Sequence, residues 1–127
     1  MVLQTKQYLA DHPDEETVLR NEENITAKKI MDAAKAGDAL ADKCVEIAAE
    51  ALGVCCVNLC RVLDPELIVF SGGLALAGDF LLQKIQRHFN AYHWTIQEPS
   101  CKLVISESGE KAGMIGAAAV ARMDYMK

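Results

Sequence analysis

The chain has 127 residues, enough for one domain at most. With 51% hydrophobic and 24% charged residues it has the means to build a core and stay solvated, which excludes a disordered composition. A formal net charge of −5 argues against a nucleic-acid or anionic-membrane partner, since both require a basic patch.

The first residues, MVLQTKQYLADHPDEE, lack the basic start and apolar run of a signal peptide. No later stretch is uncharged and apolar over a spanning length, so the expected location is cytoplasmic. Residues 1–25 form an unassigned N-terminal segment. His12-Pro13 breaks it, because proline disfavours helix in the residue before it. Asp14, Glu15, Glu16, Glu22 and Glu23 give it an acidic, solvated surface.

A helix is predicted to start at Asn24 or Thr26, either of which can cap it. Gly37 should stop it, since glycine suits the left-handed position after a helix end. Asp38 then caps a long helix whose apolar positions Leu40, Cys44, Ile47, Ala51, Val54, Cys55, Asn58, Leu59 and Val62 recur at three- and four-residue steps. That stripe is the predicted core face. Gly53 inside the helix costs about 1 kcal/mol against alanine, and a close crossing by another element would account for it.

Asp64-Pro65 ends the long helix. Leu67-Ile68-Val69-Phe70, bounded by Pro65 and by Gly72-Gly73, is predicted as a buried strand. Asp79 is the predicted cap of the next helix, with Leu81, Leu82, Ile85 and Phe89 inward and Lys84, Arg87 and His88 outward or near its end. Trp94, beside Tyr92 and His93, fits a loop anchor better than a stacking platform. Leu103-Val104-Ile105 is a second short strand, and a helix over 110–123 closes the chain. Its small residues Ala112, Gly113, Gly116, Ala117 and Ala119 would allow close approach to a sheet or helix. Strand, helix, strand at this spacing implies a parallel pair with a right-handed crossover, so the fold class is α/β and helix-rich.

The five cysteines Cys44, Cys55, Cys56, Cys60 and Cys101, with no secretory signal, are expected to be free thiols. Cys56 and Cys60 share a helix face but lack two further ligands at zinc spacing, so no metal site is assigned. His12, His88 and His93 show no triad or ligand spacing, and no catalytic residue is assigned. The turn Ser71-Gly72-Gly73-Leu74 carries more chemistry. It lies at the carboxyl end of a parallel strand and before a helix, where open α/β sheets bind ligands. Its glycines would let a ligand approach the backbone. A plain strand-to-helix turn explains the same residues, and the pattern is neither GxGxxG nor a P-loop.

Three separated strings give a wider signature: Ala36-Gly37-Asp38; Asn58 through Leu63-Asp64-Pro65-Glu66 to Gly72-Gly73; and Ala112-Gly113-Met114-Ile115-Gly116-Ala117-Ala118. In this order and spacing they resemble the ROK family (repressor, open reading frame, kinase) of sugar kinases, with the similarity running over residues 26–123. The resemblance implies the C-terminal part, 26–127, of a lobe of the actin-like (RNase H-like, hexokinase-like) ATPase fold. It implies ATP with magnesium as cofactor and a hexose or N-acetylhexosamine as substrate class. Ser71, Gly72, Gly73 and Leu74 would line the adenosine, with Ser71 standing where the family has glycine, and the turn Ser106–Gly109 would face the same cleft. The family's D-x-G-G-T and G-T-G phosphate-binding turns, its N-x-D catalytic base and its C-x-C-G-x-x-G-C zinc string are not in this sequence, so the chain by itself is expected to be inactive. Asp64, at the far end of the strand from Gly73, cannot replace the base.

The implied partners are therefore a nucleotide and either an N-terminal kinase lobe or a second copy of the chain, since a two-stranded sheet leaves open edges. The alternative is a non-catalytic, homo-oligomeric interaction module. A repressor ranks below both, for want of a basic recognition helix.

Overall fold

The computed structural model describes residues 1–93 and 100–126, without the side chains of 74–76 and 110. Trp94 lies outside these. The order is α1 (Val2–Asp11), a 3-10 turn (Val18–Asn21), α2 (Ala27–Lys35), α3 (Ala39–Leu63), β1 (Leu67–Phe70), a second 3-10 turn (Gly72–Ala77), α4 (Asp79–Tyr92), β2 (Lys102–Ile105), a third 3-10 turn (Gly109–Lys111) and α5 (Ala112–Tyr125).

The N-terminal segment, for which the sequence offered no motif, is folded onto the rest. Thr5 and Leu19 are buried. The Arg20 guanidinium donates to the carbonyls of Leu9, His12 and Glu15, which closes the loop between α1 and the first 3-10 turn. Asp38 fastens this region to the long helix. Its Oδ1 accepts from the Ala41 amide at 2.9 Å, capping α3, while its Oδ2 accepts from the Thr17 hydroxyl at 2.8 Å and the Val18 amide at 2.9 Å. Thr26 caps α2 through the Lys29 amide, and Gly37 ends it with a φ of +94°, both as the sequence predicts.

The core sits between α2, α3 and α4, with Ile30, Leu40, Val45, Ile85 and Phe89 almost fully enclosed. Gly53 marks the crossing of α3 and α4: an added Cβ would stand 2.7 Å from the His88 Cβ and 3.1 Å from the Phe89 amide nitrogen. The close approach inferred from the sequence is thus made by α4.

The predicted core face of α3 holds for Leu40 and Cys44 and fails beyond them. Ile47, Ala51, Val54, Cys55, Asn58, Leu59 and Val62 are exposed, and the buried positions are Ala49, Gly53, Cys56 and Val57. The helix is apolar on both sides here, so periodicity selects the wrong one.

β1 and β2 pair in parallel, with Leu67 opposite Lys102 and Phe70 opposite Ile105. Only one sheet face is covered: Phe70 and Leu103 are buried, whereas Leu67 and Val69 are about half exposed, contrary to the fully buried strand expected. Asp79 does not cap α4. It is the first helical residue, after an N-cap at Gly78 that makes no side-chain bond. α5 forms as predicted, but a Cβ at Gly113 or Gly116 would meet nothing within 4 Å, and none of the helix's described residues is buried.

Candidate functional site

The strand-end turn is built from β1 outward. The Ser106 amide donates to the Phe70 carbonyl at 2.8 Å, so the ladder runs from the last residue of β1 to one residue past β2 before the chains diverge. Gly72 then takes a φ of +65°, a conformation that L side chains rarely adopt, and turns the chain into the 3-10 segment. Gly73 differs from it. Its φ lies outside the left-handed region, and a Cβ would meet nothing within 4 Å at either glycine. Gly72 makes the turn, and Gly73 borders an open space.

That space is a cavity of about 540 Å³, within the size range of small-molecule sites. Ser71 and Gly73 form the wall from the strand end, and Ala77 and Leu81 belong to the segment that follows. Across from them stands α2, with Lys28, Met31 and Asp32 at helical spacings of three and four, so that all three face the cavity. Met31 is buried and apolar, whereas Lys28 and Asp32 are exposed and joined by an ion pair of 2.9 Å. The structure thus places Ser71 and Gly73 on one wall, with Gly72 in the turn between them. The Leu74 side chain lies outside what is described. The face of α2 is the part that sequence reasoning missed. Its signal was an i, i+3, i+4 set of one cation, one thioether and one carboxylate, which looks like ordinary amphipathic patterning until the fold sets it against a glycine turn.

The turn after β2 packs against the one after β1. Ser106 spends its hydroxyl within its own loop, accepting from the Ser108 amide at 3.2 Å.

A second polar cluster lies on the opposite side of the core. Glu46 of α3 receives Lys84 at 3.0 Å, the Arg87 guanidinium, and His88 Nε2 at 2.6 Å, and Lys84 also reaches Asp42 at 2.9 Å. The outward placement predicted for these α4 residues holds for Arg87 and fails for the other two: Lys84 and His88 are largely covered against α3, and His88 pairs with a carboxylate in place of the helix end. Partial burial works to raise the Glu46 pKa, but hydrogen bonds from Arg87, Lys84 and His88 outweigh it and hold the carboxyl down to about 2. The cluster joins two helices.

All five cysteines are free, with Cys44, Cys56 and Cys101 buried and Cys55 exposed. Burial and the neighbouring thiols push Cys56 and Cys60 up to about 11, which makes them poor nucleophiles and poor metal ligands at neutral pH.

A parallel strand–helix–strand unit whose strand-end glycine turn faces an open cavity is the ligand-binding arrangement of open α/β folds. The sequence pattern of the ROK family matches residues 5–124, and the chain belongs to that family. The match takes in most of the N-terminal segment. The glucokinase of Halalkalibacterium halodurans is 41% identical over 92 residues, covering 72% of this chain and 28% of the relative. The xylose repressor of Caldicellulosiruptor bescii is 24% identical over 106 residues, covering 84% of this chain and 27% of the relative. The chain superposes on a ROK family glucokinase from Streptomyces griseus, solved with glucose and AMPPNP. The TM-score is 0.85 at 26% identity, over 96% of this chain and 41% of that one. The fold is therefore part of the actin-like ATPase fold of ROK kinases, and the chain spans less than a third of the length of these curated relatives.

Proposed function

We propose that this chain forms the adenosine-binding part of an ATP-dependent sugar kinase acting on a hexose or N-acetylhexosamine. The observation that carries the reading is the cavity between Ser71-Gly73 and α2, at the carboxyl end of a parallel strand, in a chain similar to a glucokinase. Open space at Gly73 admits a ligand against bare backbone. Phosphoryl transfer also needs a placed base and electrostatic clamps on the phosphates. Those fall to residues outside these 127, so the chain alone is expected to bind nucleotide without turning it over. Among the described residues no three His, Cys, Asp or Glu side chains gather to hold a metal ion. We assign magnesium to the nucleotide's phosphates.

Calorimetric titration with ATP and ADP in the presence of magnesium tests the reading. The expected result is a Kd below about 1 mM, or some −4 kcal/mol, with binding weakened by Gly73→Leu. A Cβ at this position meets no protein atom within 4 Å, and Gly73 lines the cavity, so the larger side chain competes with a ligand for that space. Absence of binding, or binding indifferent to Gly73→Leu, would overturn it.

The alternative, a non-catalytic homo-oligomeric module, is favoured by one observation. The outer side of α3 presents Val54, Leu59, Val62 and Leu63 to solvent around an open groove of about 430 Å³. Among the described helices none is long and apolar enough to cross a membrane, so this surface is not a spanning segment. Its cover is either a further kinase lobe or a second copy of the chain.

A further inference from the structure

Within the cavity, the wall contributed by α2 is polarised along its length. Lys28 stands near the start of the helix, beside amides whose dipoles favour negative charge, and Asp32 stands one turn further in. Between them Met31 presents a thioether on a buried, apolar floor, the kind of surface on which a flat aromatic ring rests. A phosphate chain is repelled by Asp32 and drawn toward Lys28, so a nucleotide entering here has its base over Met31 and the outer edge of that base toward Asp32. The carboxylate is an acceptor only. Lys28 Nζ occupies its Oδ2 at 2.9 Å, and its Oδ1 has no partner among the described residues. The Lys28–Asp32 pair is exposed and one helical turn apart, so a ligand can open it at little cost.

We infer that Asp32 is the specificity-determining residue for the base, accepting a hydrogen bond from the exocyclic amine of adenine, with Met31 as the seat of the ring. The inference rests on the reading of the cavity as a nucleotide site and goes beyond it. It predicts discrimination against a purine that carries a carbonyl oxygen in place of that amine, because two acceptors would then face each other.

The test is calorimetric titration of the whole chain, wild type and Asp32→Ala, with the magnesium complexes of ATP and ITP. Asp32 is mostly exposed and caps nothing, so the variant should keep its fold, which circular dichroism verifies. The wild type is expected to bind ATP about tenfold more tightly than ITP, the effect of one charge-assisted hydrogen bond. Asp32→Ala should bring the two within about twofold, by weakening ATP and, with the facing acceptor gone, tightening ITP. If ATP binds but the ratio is the same in wild type and variant, Asp32 does not read the base, and the nucleotide site stands without it. If the wild type binds neither nucleotide, the nucleotide reading falls and the role of Asp32 falls with it.

Discussion

Gly53 and His88 are in contact where α3 crosses α4, and the 2.7 Å that would separate an added Cβ from the His88 Cβ is shorter than real side chains tolerate. Backbone atoms of Ile85 and Phe89 lie within 3.2 Å of the same point, so relief cannot come from a side-chain rotation alone. Gly53→Ala would gain about 1 kcal/mol of helix propensity and lose more to overpacking, typically 1–3 kcal/mol and toward the upper end where backbone must shift. The expected outcome is net destabilisation of roughly 1–2 kcal/mol, seen as a lower midpoint in urea with an unchanged slope.

The Glu46 cluster makes stability depend on acid. A carboxyl whose folded pKa is depressed to about 2 from an ordinary 4.5 contributes stability that is complete above 4.5 and lost as pH falls from there toward 2. Discounted for solvent access, the contribution is on the order of 1–2 kcal/mol. Glu46→Gln should destabilise the protein at pH 7 and flatten its stability between pH 4.5 and 2. Denaturation midpoints across that window check both statements. A Gln variant with the wild-type pH slope would show that the slope comes from other carboxylates.

Asp38 supplies a cap and a clasp with one carboxylate. Partial burial opposes its ionisation, but the amides of Ala41 and Val18 and the Thr17 hydroxyl outweigh that and lower its pKa. Asp38→Ala removes the α3 cap, worth about 1 kcal/mol, and also leaves the Thr17–Val18 turn without its partner. The expected loss is roughly 2 kcal/mol. Native-state hydrogen exchange should then show faster exchange through residues 1–21 than through α4. Thr17→Val removes the hydroxyl half of the clasp and the Thr17 cap on the Leu19 amide, and leaves the Val18 bond and the α3 cap, so it should cost about half as much.

Much of this was legible in the sequence, and the misses have a common cause. Thr26, Gly37 and Asp38 announced the helix boundaries because capping is local chemistry, satisfied by backbone groups two or three residues away. The strand pair and its direction followed from the spacing of two apolar runs. The outer side of α3 and the open face of β1 were misread because a period marks where apolar residues recur and not which of two apolar faces is covered. Gly53 was the one local sign of the true inner face, since a residue without a side chain is needed only where something comes close. On the site, Gly72-Gly73 was visible as a turn at a strand end. Lys28, Met31 and Asp32 were not, because residues some forty positions upstream come to face that turn only through the packing of α2 on the elements around it.

The uncovered stripe of α3 gives the last expectation. Val62 is 80% and Leu63 68% exposed at the end of a helix whose other side is already packed. Leu59 and Val54 continue the stripe, and Asn58 is its only polar member among the residues lining the groove. Two copies could meet along it without bringing like charges together, and burying these side chains would remove apolar area from water at about 25 cal/mol per Å². The chain is therefore expected to self-associate, with an average mass that rises with concentration in sedimentation equilibrium. Because Leu59 and Val62 are exposed, Leu59→Glu with Val62→Glu should change monomer stability by no more than about 0.5 kcal/mol each while abolishing association. A wild-type chain that stays monomeric at high concentration would remove the second-copy explanation and leave a further lobe as the cover. A double variant that still associates would move the interface to the open face of β1 or to α5, where Leu67, Val69, Met114 and Val120 are likewise exposed.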